Sequence, residues 1–360
     1  MSYTNGLDNP ELYFQTVLYT GDGSDGNAIT FDGDEDMQPD LVWVKGRGSV
    51  YNYVVDSVRG VTKRLNTDSS DGETTTTDTV ASLDSDGFTL DDDATNNWIN
   101  YSGNNYVAWC WKAGTSFSND ASATSVGTID SSGSVSTDAG FSITTLTGTG
   151  ANGTIAHGLS AVPAMIIHKE ISADGDNWHT YHHKNTSEPE TEFVRLNQVY
   201  GTGDEDTMWN DTAPTSSVYS LGTHGGNNES GQTYISYLFS EKQGFSKFGS
   251  YVGNGSADGT FVYTGFRPAF VLCKNIELSK SWFLLDTKRD TFNPVNNYLT
   301  PDRSNAEGVD DSTVATDFVS NGFKLRATND GQNESGDAFI YMAFAEAPFV
   351  NSNGVPCNAR

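Results

Sequence analysis

All six histidines of this 360-residue chain (His157, His168, His179, His182, His183 and His224) fall between residues 157 and 224. Imidazole is the most common metal ligand and the natural acid–base group near neutral pH, so this clustering is where chemistry would first be sought. In "HTYHHK" (His179 to Lys184), a strand would put His179 and His183 on one face and His182 on the other. The two on one face would lie ~13 Å apart, too far to share a zinc ion with bonds of about 2 Å unless a bulge intervenes. His182 aligns with Asp286 further on and with Asp56 of "YVVDS" earlier. A position held by Asp, His and Asp suits a polar network better than a catalytic base. Structural or surface histidines are therefore expected, with a metal or pH-sensing site as the rival.

Acidic clusters offer a second chemistry. "DGDEDMQPD" (Asp32 to Asp40), "DSDG" (Asp84 to Gly87), "DDD" (Asp91 to Asp93) and "GDED" (Gly203 to Asp206) could hold structural calcium, but "DGDED" lacks the sixth-position glycine and closing glutamate of an EF-hand. They read as solvated loops, and no other cofactor is expected. Paired carboxylates could hydrolyse a glycan, yet among 47 acidic residues a chance pair is easily found. The chain contains no H-E-x-x-H, G-x-S-x-G or G-x-x-x-x-G-K-[ST], and the expectation is a protein that is not an enzyme. Gly21-x-Gly23-x-x-Gly26 has dinucleotide-loop spacing, but "NAITFDGDEDMQPD" follows it and cannot start the required helix.

The elements around these residues belong to an all-β chain. Short apolar runs such as "PDLVWVK", "AMIIHK", "TYISYLF" and "FIYMAF" are bounded by Gly/Asn/Asp clusters. With 47 acidic against 20 basic residues the net charge is −27, which opposes binding to nucleic acid or to an anionic membrane. No stretch approaches a membrane span, and the N-terminus has no signal-peptide pattern. Cys110, Cys273 and Cys357 are distant and odd in number; the first two sit in apolar runs and read as buried strand residues.

An internal repeat organises the sequence. Each copy opens on a glycine turn centred on Gly23, Gly150 or Gly255. A proline and an apolar run ending in lysine follow: Pro39 to Lys45, Pro163 to Lys169, Pro268 to Lys274. Each closes on Asn-x-Ser-Gly, with Ser102, Ser230 and Ser335, and an aromatic strand. From the second copy to the third, glycine, proline and serine all shift by 105 residues. The repeating glycines are expected to serve a hairpin turn that needs positive φ. Three tandem β-sandwich, jelly-roll-like modules follow, at 11–114, 139–242 and 245–348. Residues 115–138, rich in Ser, Thr, Gly and Asp, read as a linker with room for one paired strand; "KQGFSK" joins the last two modules more tightly. Segments 1–10 and 349–360 are candidate docking segments held by neighbours in an assembly. Trp98 and Trp209 lie in Asn/Asp/Thr-rich loops and are candidate surface-contact residues for sugars or subunits, with buried loop anchors as the alternative.

Taken together, "YTGDGSDG", "PDLVWVK", "DSVRG" (Asp56 to Gly60) and "YVAWCWKAG" resemble a repeated β-domain of virion proteins of tailed phages, particularly marine ones. The match is close in the first module and weaker in the others; modules two and three lack "DSVRG", and the second lacks the "DGF" element. The resemblance implies a structural or adhesive component on the exterior of the particle. Its expected partners are other virion proteins, further copies of itself (a trimer favoured) and a host surface glycan or receptor. A tail fibre or adhesin is expected first, a capsid decoration or head-fibre protein second, and a glycan depolymerase last.

Overall fold

The computed structural model describes residues 7–93 and 98–358. The lysine-ended runs and the aromatic closing runs become neighbouring central strands. In the first module the antiparallel order is Phe14–Thr20, Asn105–Trp111, Leu41–Gly46, Asn52–Asp56. Module two repeats it with Phe141–Thr147, Thr233–Phe239, Met165–Glu170 and His179–His182, and module three with Ser246–Val252, Ala338–Pro348, Phe266–Asn275 and Phe283–Asp286. A smaller sheet of two or three strands packs on each: Asn27–Ile29 with Gly87–Leu90 and Val80–Asp84, Gly153–Ala156 with Val218–Leu221, and Phe261–Tyr263 with Gly322–Leu325 and Thr316–Val319. The two layers are unequal, and in module two the larger sheet continues through Glu192–Arg195 and Gly203–Asp204.

The closing strands bury both faces, which is why "YVAWCW" reads as an unbroken apolar run rather than an alternating one. Ala108 and Cys110 face the module's own small sheet, in a core with Val42, Tyr53, Phe88 and Leu90. Trp109 and Trp111 face the other way, into a cluster shared by all three modules. There they join Phe141, Trp178, Tyr237 and Phe239 of module two and Phe270, Trp282 and Phe344 of module three. Ring centroids of Trp111 lie 6.3 Å from Phe239 and 5.9 Å from Phe270, so one tryptophan touches both neighbours. The tandem modules are therefore not strung in a line; they surround one common core.

Residues 115–138 are not a linker. Thr115–Asn119 and Ser131–Ser136 pair with each other, and Ser131–Ser136 pairs with Phe141–Thr147, extending the sheet of module two. The short helix Ala121–Thr124 between them is capped by Asp120. The composition that suggested a linker is that of a hairpin with small, polar side chains. The described parts of the two chain ends meet each other: Ser352 donates its N–H to Asp8 at 2.8 Å, and the turn Pro10–Leu12 packs near the last strand. Of the expected docking segments, residues 1–6 and 359–360 lie outside the described residues.

Candidate functional site

The repeated landmarks converge on the seams between modules. Lys45, Lys169 and Lys274 are fully buried at the ends of their strands. Each donates across a seam to a backbone carbonyl: Lys45 to Arg303 at 3.0 Å, Lys169 to Ser70 at 3.3 Å, Lys274 to Val199 at 3.0 Å. Further carbonyls of Val50 and Glu170, and of Asn275 and Lys280, take other ammonium protons. Burial pulls all three ammonium groups down to about 8, the expected direction for a cation removed from water.

Two residues beyond each lysine, a backbone carbonyl accepts from the same neighbouring arm. Glu307 N–H reaches Arg47 at 3.0 Å, Glu73 N–H reaches Ile171 at 2.8 Å, and Thr202 N–H reaches Ile276 at 2.8 Å. Module one thus holds module two, two holds three, and three holds one: the contacts close a ring with a single sense.

Deeper in each seam lies the Asp/His/Asp position. Asp56 accepts from Tyr237 Oη at 2.7 Å, and Asp286 accepts from Trp109 Nε1 at 3.1 Å. His182 Nε2 donates to the Tyr341 carbonyl at 3.1 Å, while its Nδ1 accepts from Lys184 N–H, which fixes a neutral ring. Tyr237 and Trp109 correspond to Met342 in module three. Where the neighbour supplies a donor the position is Asp; where it supplies methionine the position is a histidine that donates instead.

Arg59 and Arg289, three residues after each aspartate, bind it at 2.6 Å through Nε and reach Glu73 at 3.4 Å and Glu307 at 2.9 Å. In module two Thr202 Oγ1 donates to Asn185 at 2.9 Å in their place. The sequence reading missed this: "DTKRD" keeps the Asp-x-x-Arg of "DSVRG" without its flanks.

The glycine landmarks have the expected positive φ but close no hairpin: the strands on either side of each belong to different sheets, so the turn carries the chain from the larger sheet to the smaller one. Gly23, Gly150 and Gly255 have φ of 69°, 72° and 63°. Their N–H groups bond the carbonyls of Asn100, Asn228 and Asn333 at 2.7–2.8 Å, and Ser102, Ser230 and Ser335 sit where a Cβ would project. Each asparagine side chain also donates to two loop carbonyls, as Asn228 does to Ala151 and Gly222. Pro39 and Pro163 lead into their strands, while Pro268 sits at a bulge within its strand.

Four histidines are buried and held below their usual value by that burial: His157 and His168 at about 4, His179 and His182 at about 3. His168 bonds Ser236 Oγ and the Asn227 carbonyl. Near it Glu170 is pushed up to about 7 by burial and by a hydrogen bond shared with Asp176. Such a carboxyl pair could in principle move a proton, but Glu170 is 1 % exposed, beyond the reach of a polymer substrate. Among the described residues no three His, Cys, Asp or Glu side chains gather where a metal could sit. Within the acidic clusters, Asp84 accepts from Ser82 and Thr89, Asp93 accepts from the N–H groups of Ile99 and Asn100, and Asp32 pairs with Lys288 of module three.

Trp98 is half-buried, with the Arg64 guanidinium 3.3 Å above its ring and Tyr51 beside it. Trp209 is no surface contact. It is 2 % exposed, because the short helix Asp206–Trp209 turns it inward and its Nε1 donates to the Glu192 carbonyl at 2.9 Å. Cys110 and Cys273 are buried, as expected.

The geometry defines an all-β protein whose three repeated units close a ring around one core. A protein-family model described as a domain of unknown function, DUF7483, matches residues 9–348, and the chain belongs to that family. The matched span runs through all three modules, the same span that the ring requires. No curated protein matches the chain.

Proposed function

We propose that the chain is a structural, non-catalytic component on the exterior of a bacteriophage particle, a tail-associated fibre or adhesin that joins other virion proteins and meets a host surface glycan or receptor. The observation that carries this reading is the fate of the residues behind the resemblance. Lys45, Asp56, Arg59, Trp109 and Trp111 all pack in the seams and the common core, so the motif's chemistry is spent on joining modules. A body built for packing, with 27 excess negative charges at its disposal, suits a part that stays soluble until it docks.

Capsid decoration or head-fibre placement is the second reading, and the ring closure favours it. Modules around a common core add little reach, whereas a shaft needs modules in line. Immunogold electron microscopy of intact particles, with antibody against residues 139–348, separates the two. Label along the tail supports the adhesin; label over the capsid supports decoration; unlabelled particles overturn both.

A further inference from the structure

The first strands of the three modules differ at one edge. In module two, Phe141–Thr147 is covered by the added strand Ser131–Ser136, with Ile143 opposite Ser134. In module three the matching residue, Phe248, has its N–H bound by Glu241 at 3.1 Å and its carbonyl bound by His183 at 2.9 Å. In module one the matching residue is Thr16. The pairing of Phe14–Thr20 with Asn105–Trp111, flanked by bonds from Gly21 N–H to Asn104 and from Lys112 N–H to Tyr13, directs the backbone groups of Gln15, Val17 and Tyr19 into the sheet. Those of Thr16 and Leu18 point outward, and among the described residues no hydrogen bond covers them. The Thr16 hydroxyl is also buried without a partner.

Beside this edge runs a cleft of about 390 Å³ between modules one and three. Phe14, Thr16, Ala269 and Ala345 line it together with Glu11, Asp32, Glu346 and Lys288; Asp32 pairs with Lys288 and Glu346 with Arg267, which leaves Glu11 as the lining carboxylate outside an ion pair among those described. Phe292, next to the lining residue Thr291, is 80 % exposed.

We propose that this edge is a strand-addition site for an extended, basic segment of another polypeptide. The segment pairs antiparallel with Thr16 and Leu18 as Ser131–Ser136 pairs with module two, sets small side chains against the cleft floor and places lysine or arginine beside Glu11. Open sheet edges bind extended peptides through main-chain hydrogen bonds, and here the cleft gives the access to Thr16, which is otherwise buried. A second copy of the chain is disfavoured as occupant by its own −27 charge. The inference does not depend on placement in a virion.

The test uses the full chain and the synthetic peptide KSVSVSK, with a version N-methylated on alternate amides facing the strand. Binding of the first peptide should slow hydrogen exchange at the amides of Thr16 and Leu18 at least tenfold, leaving Gln15 and Val17, already paired, unchanged. N-methylation should abolish this, and Glu11→Gln should weaken binding severalfold. Thr16→Pro removes an outward N–H and no sheet bond, and should abolish binding while preserving the melting temperature within a few degrees. Equal binding of the N-methylated peptide, absence of saturable binding up to millimolar peptide, or a free chain that is dimeric with Thr16 and Leu18 already protected would each overturn the proposal.

Discussion

His182 meets the carbonyl of Tyr341, next to Met342, across a seam whose two counterparts join a carboxylate to an aromatic donor. The exchange is a local solution to one constraint: a buried polar atom must meet a partner. His182→Asp alone should cost about 3 kcal/mol, since the new carboxylate would face the Tyr341 carbonyl. Adding Met342→Tyr should return at least about 1 kcal/mol, a coupling that chemical denaturation of the four variants would measure. The buried histidines also make the fold sensitive to acid. His157, His168, His179 and His182 have folded values of about 3 to 4, below the 6.5 of an unfolded chain. The unfolded state therefore binds more protons between those values, and stability, full above pH 6.5, is lost as pH falls through that window. Glu170, raised to about 7, works the opposite way and offsets part of the loss above pH 4.5. At pH 5 each histidine costs at most about 2 kcal/mol. Denaturation midpoints at pH 7 and pH 5, with exchange rates read in residues 139–242, should show module two loosening first.

At the level of turns and strands, the glycine turns make a sharper demand. At Gly255, with φ of 63°, a Cβ would stand 3.0 Å from that of Ser335. Gly255→Ala should therefore lower stability by about 1–2 kcal/mol, seen as a shift of the urea midpoint at constant slope. These turns were legible because glycine, proline, lysine and asparagine each had a reason to recur at a fixed place. Other elements were not. The strands Thr115–Asn119 and Ser131–Ser136 carry almost no apolar residues, since a hairpin added to a sheet edge needs few. Trp209 was misread because its neighbours are polar, although "TMW" on one helical turn buries two large side chains together. The Asp286–Arg289 pair escaped notice because its flanks, not its two bonding residues, had diverged from those of Asp56 and Arg59.

For the molecule as a whole, the sharing of one core sets the unit of stability. "YVAWCW" announced two buried faces, but no local pattern said that the second face belongs to the neighbours. Residues such as Trp111 and Phe239 lose their packing when any one module leaves. The chain should therefore unfold in a single transition, with calorimetric and van't Hoff enthalpies near equality; three separable transitions would contradict the common core. Residues 139–242 expressed alone should fail to fold as a monomer, with Phe141, Trp178, Tyr237 and Phe239 left in water.

The bond between Asp8 and Ser352 brings the two ends of the three-module span side by side, so the ring is indifferent to which unit comes first along the chain. Joining the ends and opening the chain at the exposed residues Ser125–Val126, just past the short helix, would rotate the order of the fold without breaking a seam. A circularly permuted chain should thus assemble the same ring, with module two translated first and module one last.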